Sequence, residues 1–456
     1  MPTRREFLQT VATTSAAFAL PHTCGFAQTT NPAPIARKSS SLKITAIKIT
    51  PIALPDPPIL AASGCHGPYF LRNIVEIKTD AGITGIGETR GGARKLNALR
   101  RAAKLVVGKD CFAYRAFRGA VSKLGNDVYA GIELACLDAA GKAVGKRLCE
   151  LLGGPVREEV EFSAYLFYRF PADHKQVLTD PRLVDGRGKG SKALDQWGDV
   201  RTPEAMAEHA EAFRKKWGFR NFKLKAGVLK PDVELASIEA MNAKFGGKYP
   251  LRIDPNARWT VPTALRIGEK LKTYPLEYYE DPVRGQAAMA EVRKKLRLPM
   301  STNMCVTRFE HIPPALKVEP IDVVLGDHHG WGGIPAFQEL GRICETVGWK
   351  LSQHSNNHAG VTMAAMTHVG AVVPQLTLAG DTHYVQLADG YDVIAGGKIP
   401  IKDGKIKVPS GVGLGVSLDR DKLAKAHEVY KKCGMRERGD AETMRRFVPG
   451  WKRTLY

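Results

Sequence analysis

The sequence predicts an α/β protein, a (β/α)-barrel preceded by an α+β capping domain. From about residue 160 onward, short apolar segments alternate with amphipathic helical segments, the pattern of parallel strands joined by helices. Seven or eight such units fit into residues 159–420, which favours a closed barrel. An open doubly wound sheet is the alternative. No G-x-G-x-x-G motif follows any predicted strand, so dinucleotide binding has no support.

Composition sets the broad class. The chain has 456 residues, of which 44% are hydrophobic and 25% charged, as in folded proteins. It contains no run of about 20 apolar residues, which excludes a membrane-spanning bundle. The formal charge of +21 favours anionic partners. The basic residues are scattered without interleaved aromatic residues, so we expect no nucleic-acid partner.

The first 27 residues resemble a twin-arginine export signal. Arg4-Arg5 precedes an apolar run over residues 11–20, and Gly25-Phe26-Ala27 offers small residues for cleavage. We therefore expect a periplasmic or extracellular protein with no other membrane association. A disordered basic tail is the alternative. Residues 28–41 are rich in Thr, Asn, Pro, Ala and Ser and predict a linker.

The eight cysteines argue against a structural zinc site, because no two of them form a C-x-x-C pair. Seven remain once the predicted signal is removed, which is an odd number for a disulfide framework. A twin-arginine substrate folds in the reducing cytoplasm before export. We therefore expect free, buried thiols.

The capping domain is predicted over residues 42–158. Strand patterns occur at 42–60 and 74–77, with a turn at Ala81-Gly82, and residues 93–153 have a helical pattern. In the barrel region, Thr202-Pro203 indicates a helix start and Gly218 its end. The predicted strands that follow are 222–225, 251–254, 277–281, 300–303, 322–327, 351–355 and 378–383, with helices at 262–271 and 286–296.

A polar residue ends each predicted barrel strand. The series is Lys225, Asp254, Glu280, Asn303, Asp327, His354 and His383. The spacing runs from 23 residues (280 to 303) to 29 residues (225 to 254), which is one barrel unit. Because the carboxyl ends of barrel strands share one face, we expect these side chains to meet at a common mouth.

Three members of the series predict a magnesium site. Asp254, Glu280 and Asn303 lie on consecutive strands and offer two carboxylates and an amide oxygen, which suit Mg²⁺. Zinc would favour imidazole or thiolate ligands, and none is interleaved here. The alternative for any single strand-end Asp is a turn or helix-capping role.

The remaining members predict proton transfer. Lys223 and Lys225 are two residues apart and therefore share a strand face, so we expect mutual repulsion to lower one pKa and make that lysine a neutral base. Asp327 is one strand from His354 and is expected to fix the tautomer and basicity of that histidine. A lone histidine would more often be a core residue.

Five segments resemble the enolase superfamily, and more narrowly its glucarate dehydratase branch. They are Phe-Lys-Leu-Lys-Ala-Gly (222–227), Ile-Asp-Pro-Asn-Ala-Arg-Trp (253–259), Glu-Asp-Pro (280–282), Ser-Thr-Asn-Met (301–304) and His-Ser-Asn-Asn-His (354–358). The resemblance implies an enolase-type barrel whose Mg²⁺ is held by Asp254, Glu280 and Asn303, with Asn256 beside it. It also implies that Lys225, tuned by Lys223, removes a proton α to a carboxylate, and that His354, held by Asp327, acts from the opposite face.

The resemblance further implies where substrate binds. His66 would contact it from a capping loop at residues 63–73, and Tyr165 and Phe167 would line the site from the first barrel strand, with Asn356 and His383 nearby. Residues 421–456 would return to the capping domain and bring Arg438 to the distal carboxylate. The substrate would be a small anionic sugar acid, and we expect a homo-oligomer.

The implied activity is Mg²⁺-dependent dehydration of an aldarate such as glucarate to a keto-deoxy acid. Galactarate, idarate and other acid sugars remain open as substrates. The alternatives are a racemase or epimerase on the same fold and, from another class, an exported sugar-acid-binding protein without turnover. Two features depart from the branch. The segment Asp327-His-His-Gly-Trp differs and is one residue longer, and residues 121–129 contain no threonine.

Overall fold

The computed structural model describes residues 41–187 and 197–456. The predicted signal (1–27) and nearly all of the predicted linker (28–41) lie outside these described residues. Among the described residues, no helix has the length and apolar character needed to cross a membrane. The seven cysteines of this part of the chain are free, and all but the half-buried Cys305 are buried.

The capping domain begins with an antiparallel sheet whose strand order is β1-β4-β5, beside a short β2–β3 hairpin. Gly87 of β5 lets helix α3 approach closely, because a Cβ atom there would lie 2.1 Å from the Gly131 carbonyl oxygen. The strands are β1 (Ile44–Pro55), β2 (Leu60–Ala61), β3 (Gly64–Cys65), β4 (Tyr69–Thr79) and β5 (Thr84–Arg90). The helices are α1 (Ala93–Val106), α2 (Arg118–Val121), α3 (Asn126–Val144) and α4 (Leu148–Leu151).

Eight parallel strands then form a nearly closed barrel, which confirms the predicted fold class. Their order is β12-β11-β10-β9-β8-β7-β6-β13, so each strand from β6 to β12 neighbours the next one in the chain. Ser352 Oγ donates a hydrogen bond to the Ala379 carbonyl oxygen (2.9 Å) across the β12–β13 gap. The strands are β6 (Glu159–Phe167), β7 (Phe222–Lys225), β8 (Leu251–Asp254), β9 (Leu276–Glu280), β10 (Met300–Thr302), β11 (Val323–Gly326), β12 (Lys350–Gln353) and β13 (Gly380–Asp381).

Helices cover the barrel strands on the outside, which is why strands such as β7 and β8 are buried along their whole length. The start of α6 follows the prediction, since Thr202 Oγ1 accepts a hydrogen bond from the Ala205 N–H (3.2 Å) and Gly218 ends the helix in the left-handed region. The helices are α5 (Lys175–Leu178), α6 (Pro203–Trp217), α7 (Pro231–Phe245), α8 (Val261–Leu271), α9 (Gln286–Leu296), α10 (Ile312–Val318), α11 (His328–Trp331), α12 (Ile334–Val347) and α13 (Gly360–Val372).

Several predicted barrel strands are too long at their carboxyl ends. The predicted strands 322–327, 351–355 and 378–383 are shorter in the structure, so that Asp327, His354 and His383 lie in the loops that follow β11, β12 and β13. The chain leaves the sheet just before each polar side chain. These residues are therefore at the barrel mouth, where loops rather than strands set their directions.

The carboxy-terminal segment packs against the capping domain. Strand β14 (Lys405–Lys407) first pairs antiparallel with β6. Helix α14 (Arg420–Lys432) then packs on β1, where His427 Nδ1 lies 2.7 Å from the Pro51 carbonyl oxygen. Helix α15 (Asp440–Phe447) reaches the β2–β3 hairpin, and Ser63 Oγ donates to Asp440 Oδ2 (2.5 Å).

Candidate active site

A cavity of about 690 Å³ lies at the carboxyl ends of the barrel strands, beneath the capping domain and the carboxy-terminal segment. It brings together side chains that are up to several hundred residues apart in the chain. Ten of the fourteen predicted site residues line it: His66, Tyr165, Phe167, Lys225, Asn256, Asn303, His354, Asn356, His383 and Arg438. The other four are Asp327, which lines an adjoining cavity, and Lys223, Asp254 and Glu280, which are buried below the floor.

The predicted metal ligands lie side by side at the ends of β8, β9 and β10. Asn303 Nδ2 donates to Glu280 Oε1 (2.7 Å), and the Lys223 ammonium nitrogen lies 2.6 Å from Glu280 Oε2 and 3.7 Å from Asp254 Oδ2. Asp254 Oδ1 accepts from the backbone and side-chain nitrogens of Asn256 (2.9 and 3.0 Å). Asn303 therefore contacts Glu280 directly, and the Lys223 ammonium group lies between the Glu280 and Asp254 carboxylates.

This donor set fits a divalent cation. Burial and the neighbouring Asp254 charge raise the pKa of Glu280 well above its ordinary value, because two carboxylates are held close together out of water. A hard cation between them would offset that repulsion and would accept the oxygen ligands present, namely two carboxylates and an amide. The residues that would hold Mg²⁺ are therefore Asp254, Glu280 and Asn303.

The backbone beside these ligands is strained. Asn256 (φ 53°) and Asp281 (φ 36°) adopt left-handed conformations although neither is glycine. Asp281 compensates by accepting hydrogen bonds from Thr302 Oγ1 (2.6 Å) and from the Asn303 N–H (2.8 Å). Asp281 therefore orients the loop that carries Asn303.

The expectation that the two lysines lower each other's pKa is wrong for this arrangement. Burial alone would lower the pKa of Lys225, but the Asp254 carboxylate, whose Oδ2 accepts from Lys225 Nζ at 2.5 Å, raises it above its ordinary value. Burial also lowers the pKa of Lys223, but the carboxylates of Asp381 and Glu280 raise it by more, so the pKa of Lys223 lies above its ordinary value. Nearby carboxylates therefore outweigh the repulsion between the two ammonium groups.

The structure separates the two lysines by depth. Lys225 reaches the cavity wall, whereas the side chain of Lys223 is fully buried, 2.6 Å from both Asp381 Oδ2 and Glu280 Oε2. Both ammonium nitrogens lie over the Tyr165 ring, at 4.8 Å for Lys223 and 5.6 Å for Lys225. Lys223 is thus placed to neutralise the carboxylates under the floor and has no direct access to a ligand in the cavity.

His354 and Asp327 lie on the other side of the strand ring from Lys225. His354 Nδ1 is 3.6 Å from Asp327 Oδ2, and Asn356 Nδ2 is 3.5 Å from the same oxygen. Burial lowers the pKa of His354, and the nearby Lys223 and Lys225 lower it further, against the raising effect of Asp327. The imidazole is therefore held in its neutral form more firmly than a histidine in water.

A second polar cluster lies at the end of the cavity formed by the capping domain. Arg438 contacts His66 Nε2 and donates from Nε to Asp440 Oδ1 (2.6 Å), while His66 Nδ1 is 3.3 Å from Asp56 Oδ2. The Arg438 side chain stays 44% exposed, so part of its guanidinium faces the cavity. This cluster places the Arg438 guanidinium at the cavity wall, with the Asp440 carboxylate offsetting part of its charge.

An aromatic wall joins the two ends. The Phe167 ring centroid lies 4.6 Å from that of Tyr165 and 4.7 Å from that of His383, and the His383 ring stacks on His66. Burial lowers the pKa of His383, as do the nearby cationic side chains. His383 is thus packed among rings, and it faces the cavity as a neutral side chain.

The sequence patterns missed several residues that support this site. Asp381 pairs with Lys223, Asp56 faces His66, and Arg90 of the capping domain donates from Nη2 to Asp327 Oδ2 (2.9 Å). Asp381 ends the last barrel strand, so the strand-end rule could have identified it. Asp56 and Arg90 belong to the capping domain, where no periodic signal marks a residue that faces the barrel.

Comparison with known proteins identifies relatives of this chain. Residues 47–153 match the family model described as "Mandelate racemase / muconate lactonizing enzyme, N-terminal domain", and residues 205–422 match "Enolase C-terminal domain-like". A protein from Streptomyces coelicolor named "Probable glucarate dehydratase" is 41% identical over 437 residues, which cover 90% of this chain and 97% of that protein.

Solved structures give the same result. A Thermobispora bispora enolase complexed with magnesium and formate shares 42% identity at a TM-score of 0.83, covering 90% of this chain and 98% of its own. A Pseudomonas fluorescens enolase with bound magnesium, potassium and tartrate shares 40% identity at a TM-score of 0.84, covering 91% of this chain and 99% of its own. The barrel, the capping domain and these matches together establish that the chain belongs to the enolase superfamily.

Proposed function

We propose that this protein is a Mg²⁺-dependent acid-sugar dehydratase acting on an aldarate such as glucarate. One observation carries the proposal: Lys225 and His354 line the same cavity from opposite sides of the strand ring, above the oxygen cluster of Asp254, Glu280 and Asn303. Two proton-transfer groups flanking an anion-stabilising floor are what α-proton abstraction and β-elimination need.

The chemistry accounts for each residue type. A proton α to a carboxylate is very weakly acidic, and its removal places a second negative charge on that carboxylate. Lys225 in its neutral form takes this proton, and His354 in its protonated form donates a proton to the departing β-hydroxyl, which leaves as water. The resulting enol loses its hydroxyl proton and gains a proton at carbon to give the keto-deoxy acid, so the net change is loss of one water.

When bound, Mg²⁺ would supply positive charge beside the substrate carboxylate and beside Asp254. That charge would offset the attraction of Asp254 for Lys225, which is the main interaction that raises the pKa of the lysine. Lys223 supports this end of the site by neutralising the buried carboxylates of Glu280 and Asp381. Tyr165 and Phe167 exclude water along one wall.

The hydrogen-bond donors of Arg438 and His66 at the other end suit a dicarboxylate. Arg438 and His66 lie across the cavity from the metal ligands, so an acid sugar with a carboxylate at each end would satisfy both ends at once. In support, the relative named a probable glucarate dehydratase covers nearly the whole chain, and the Pseudomonas fluorescens structure holds magnesium and tartrate, itself a dicarboxylic hydroxy acid.

A racemase or epimerase is the second candidate. The same pair of bases on opposite faces could remove and return an α-proton without elimination, and an N-succinyl-Arg/Lys racemase from Bacillus cereus is 25% identical over 410 residues. The dehydratase is favoured by overall similarity, because the relative named a probable glucarate dehydratase is 41% identical and covers 90% of this chain, whereas the racemase is 25% identical and covers 84%.

A substrate panel tests the proposal. The mature protein is incubated with Mg²⁺ and glucarate, galactarate, idarate and monocarboxylic sugar acids in deuterated water, and keto acid and α-deuterium are measured by NMR. Keto acid from an aldarate supports the dehydratase. Deuterium incorporation with inverted configuration and no keto acid would assign the epimerase, and neither change with any acid sugar would favour the binding protein.

A further inference from the structure

Strand β5 of the capping domain ends against the two loops that carry His354 and its partner. The Glu88 carbonyl oxygen lies 2.9 Å from His329 Nε2, in the loop after β11. The Glu88 carboxylate accepts hydrogen bonds from the N–H groups of Ala359 (2.9 Å) and Thr362 (2.8 Å), in the segment after β12. Arg90, the last residue of the strand, continues this line of contacts toward the cavity.

Arg90 is fixed at its backbone and directed at Asp327. Its carbonyl oxygen accepts from Asn73 Nδ2 (2.9 Å), and its Nη2 donates to Asp327 Oδ2 (2.9 Å). The side chain is 46% exposed and lines both the main cavity and the adjoining one of about 310 Å³. Arg90 therefore extends from the capping domain to the surface of both cavities.

The Asp327 oxygens are held from two sides. Oδ1 accepts from the His329 N–H (2.9 Å), while Oδ2 accepts from Arg90 and faces both His354 Nδ1 (3.6 Å) and Asn356 Nδ2 (3.5 Å). Of these groups, Arg90 makes the shortest contact with Oδ2. It therefore limits rotation of the carboxylate away from His354.

We propose that Arg90 is a positioning residue, which holds Asp327 so that His354 keeps the orientation needed for proton transfer. Because Arg90 belongs to the capping domain, the His354 half of the site then depends on the docking of that domain. The proposal rests on the proposed function for its kinetic consequences. The structural consequence, that Asp327 turns away from His354 when the guanidinium is removed, does not depend on it.

Three variants separate this role from simple docking of the capping domain. Arg90→Gln removes the charge and the contact with Asp327, whereas Arg90→Lys keeps a cation that can reach the carboxylate. Asn126→Ala is the matched control, because Asn126 Nδ2 donates to the Gly330 carbonyl oxygen (3.0 Å), another bond between the capping domain and the same loop that leaves Asp327 untouched.

The first readout is α-proton exchange in deuterated water with Mg²⁺ and each of two aldarates, D-glucarate and L-idarate, which differ in configuration at one α-carbon. Lys225→Ala and His354→Ala identify which exchange depends on which base. We expect Arg90→Gln to slow the His354-dependent exchange by about 10- to 100-fold, the range known for loss of a partner that orients a metal-ligating histidine. The Lys225-dependent exchange and KM should change less than about threefold.

The second readout is the crystal structure of each variant. We expect the Asp327–His354 contact to be lost in Arg90→Gln, kept in Asn126→Ala, and restored in Arg90→Lys together with most of the exchange rate. An unchanged Asp327–His354 contact in Arg90→Gln would overturn the proposal, as would equal slowing of both exchanges. If the wild-type protein exchanges neither aldarate, the proposed function fails, and the crystal structures alone decide the role of Arg90.

Discussion

Charge balance at Lys225 shows how one residue depends on its immediate neighbours. Its ammonium group lies beside Asp254 at 2.5 Å and over the Tyr165 ring, and Lys223 is on the same strand face. Attraction to the carboxylate outweighs both burial and the second ammonium group, so the pKa rises. A base role for Lys225 therefore requires that the Asp254 charge be offset by another cation.

We expect Lys225→Ala and His354→Ala each to lower keto-acid formation from an aldarate by at least about 100-fold, since general acid–base groups contribute that much. Product is measured by NMR, and folding is checked by circular dichroism. Lys230→Ala, at an exposed lysine before helix α7, is the control and should retain activity. Activity near the wild-type level in either site variant would contradict its assigned role.

Arg438→Ala tests the end of the cavity that the capping domain forms. The guanidinium is partly exposed to the cavity and is held by Asp440, so its loss should weaken binding of the distal carboxylate rather than the proton transfer itself. We expect KM for an aldarate to rise by about tenfold or more, because a charge-assisted contact is worth roughly 1.5–3 kcal/mol. A monocarboxylic sugar acid is the control. An unchanged KM for the aldarate would reject the assignment.

At the scale of elements, helix α3 joins the capping domain to the barrel. Glu133 in the middle of α3 is buried, and its Oε2 accepts from the Ile334 N–H (2.7 Å) at the start of helix α12. Gly333 must lack a side chain there, because a Cβ atom would lie 2.0 Å from that same carboxylate oxygen. One buried carboxyl group thus serves as the N-terminal cap of a barrel helix.

The burial of Glu133 predicts a pH dependence of stability. Burial raises the pKa of Glu133 to about 8, so the folded protein binds this proton more tightly than the unfolded chain does. The stabilisation that the protonated Glu133 contributes is complete below its pKa in the unfolded chain, which is near 4.5. It is lost as the pH rises toward 8, by at most about 1.4 kcal/mol per pH unit.

Denaturant unfolding of the wild type and of Glu133→Gln at pH 5 and pH 8 measures this effect. We expect the wild type to lose more stability between the two values than the variant, because the amide does not titrate. Glu150→Gln, at a more exposed site in the capping domain, should leave the wild-type difference unchanged. Equal losses in wild type and Glu133→Gln would show that this carboxyl does not titrate in the window.

At the scale of the whole molecule, cation binding should stabilise the fold, because the three proposed ligands come from the ends of three barrel strands. We expect Mg²⁺ at about 100 times its Kd to add roughly 2.7 kcal/mol to the free energy of unfolding, and EDTA to remove it. Asp254→Asn should abolish the Mg²⁺-dependent rise in melting temperature. Asp232→Asn, at an exposed carboxylate paired with Arg266, should keep it. No Mg²⁺ effect on the wild type would count against the metal site.

Export is a further whole-chain prediction. We propose that residues 1–27 direct the folded protein across the membrane by the twin-arginine route, as the Arg4-Arg5 pair and the following apolar run indicate. Replacing both arginines by lysine should move the protein from the periplasmic to the cytoplasmic fraction of a bacterial host, as detected by immunoblot. Periplasmic accumulation of the double variant would contradict the proposal.

The amino-acid sequence by itself was enough to predict the fold class and most of the side chains that line the cavity. Its repeat of strand and helix requires neighbouring parallel strands, and the carboxyl ends of such strands share one face. That rule alone predicted that Lys225, Asp254, Glu280, Asn303 and His354 would lie together. It could not give the exact strand ends, because the chain leaves β11, β12 and β13 before the polar residues are reached.

Only the tertiary structure decided which side chains touch and what charge each one experiences. The contacts of Arg90 with Asp327, of His66 with Arg438 and of Lys223 with Asp381 join residues 237, 372 and 158 positions apart. No local pattern encodes such pairs, because they depend on how the capping domain docks and how the barrel closes. The pKa of Lys225 has the same origin, since it reflects the sum of all charges that folding brings near it.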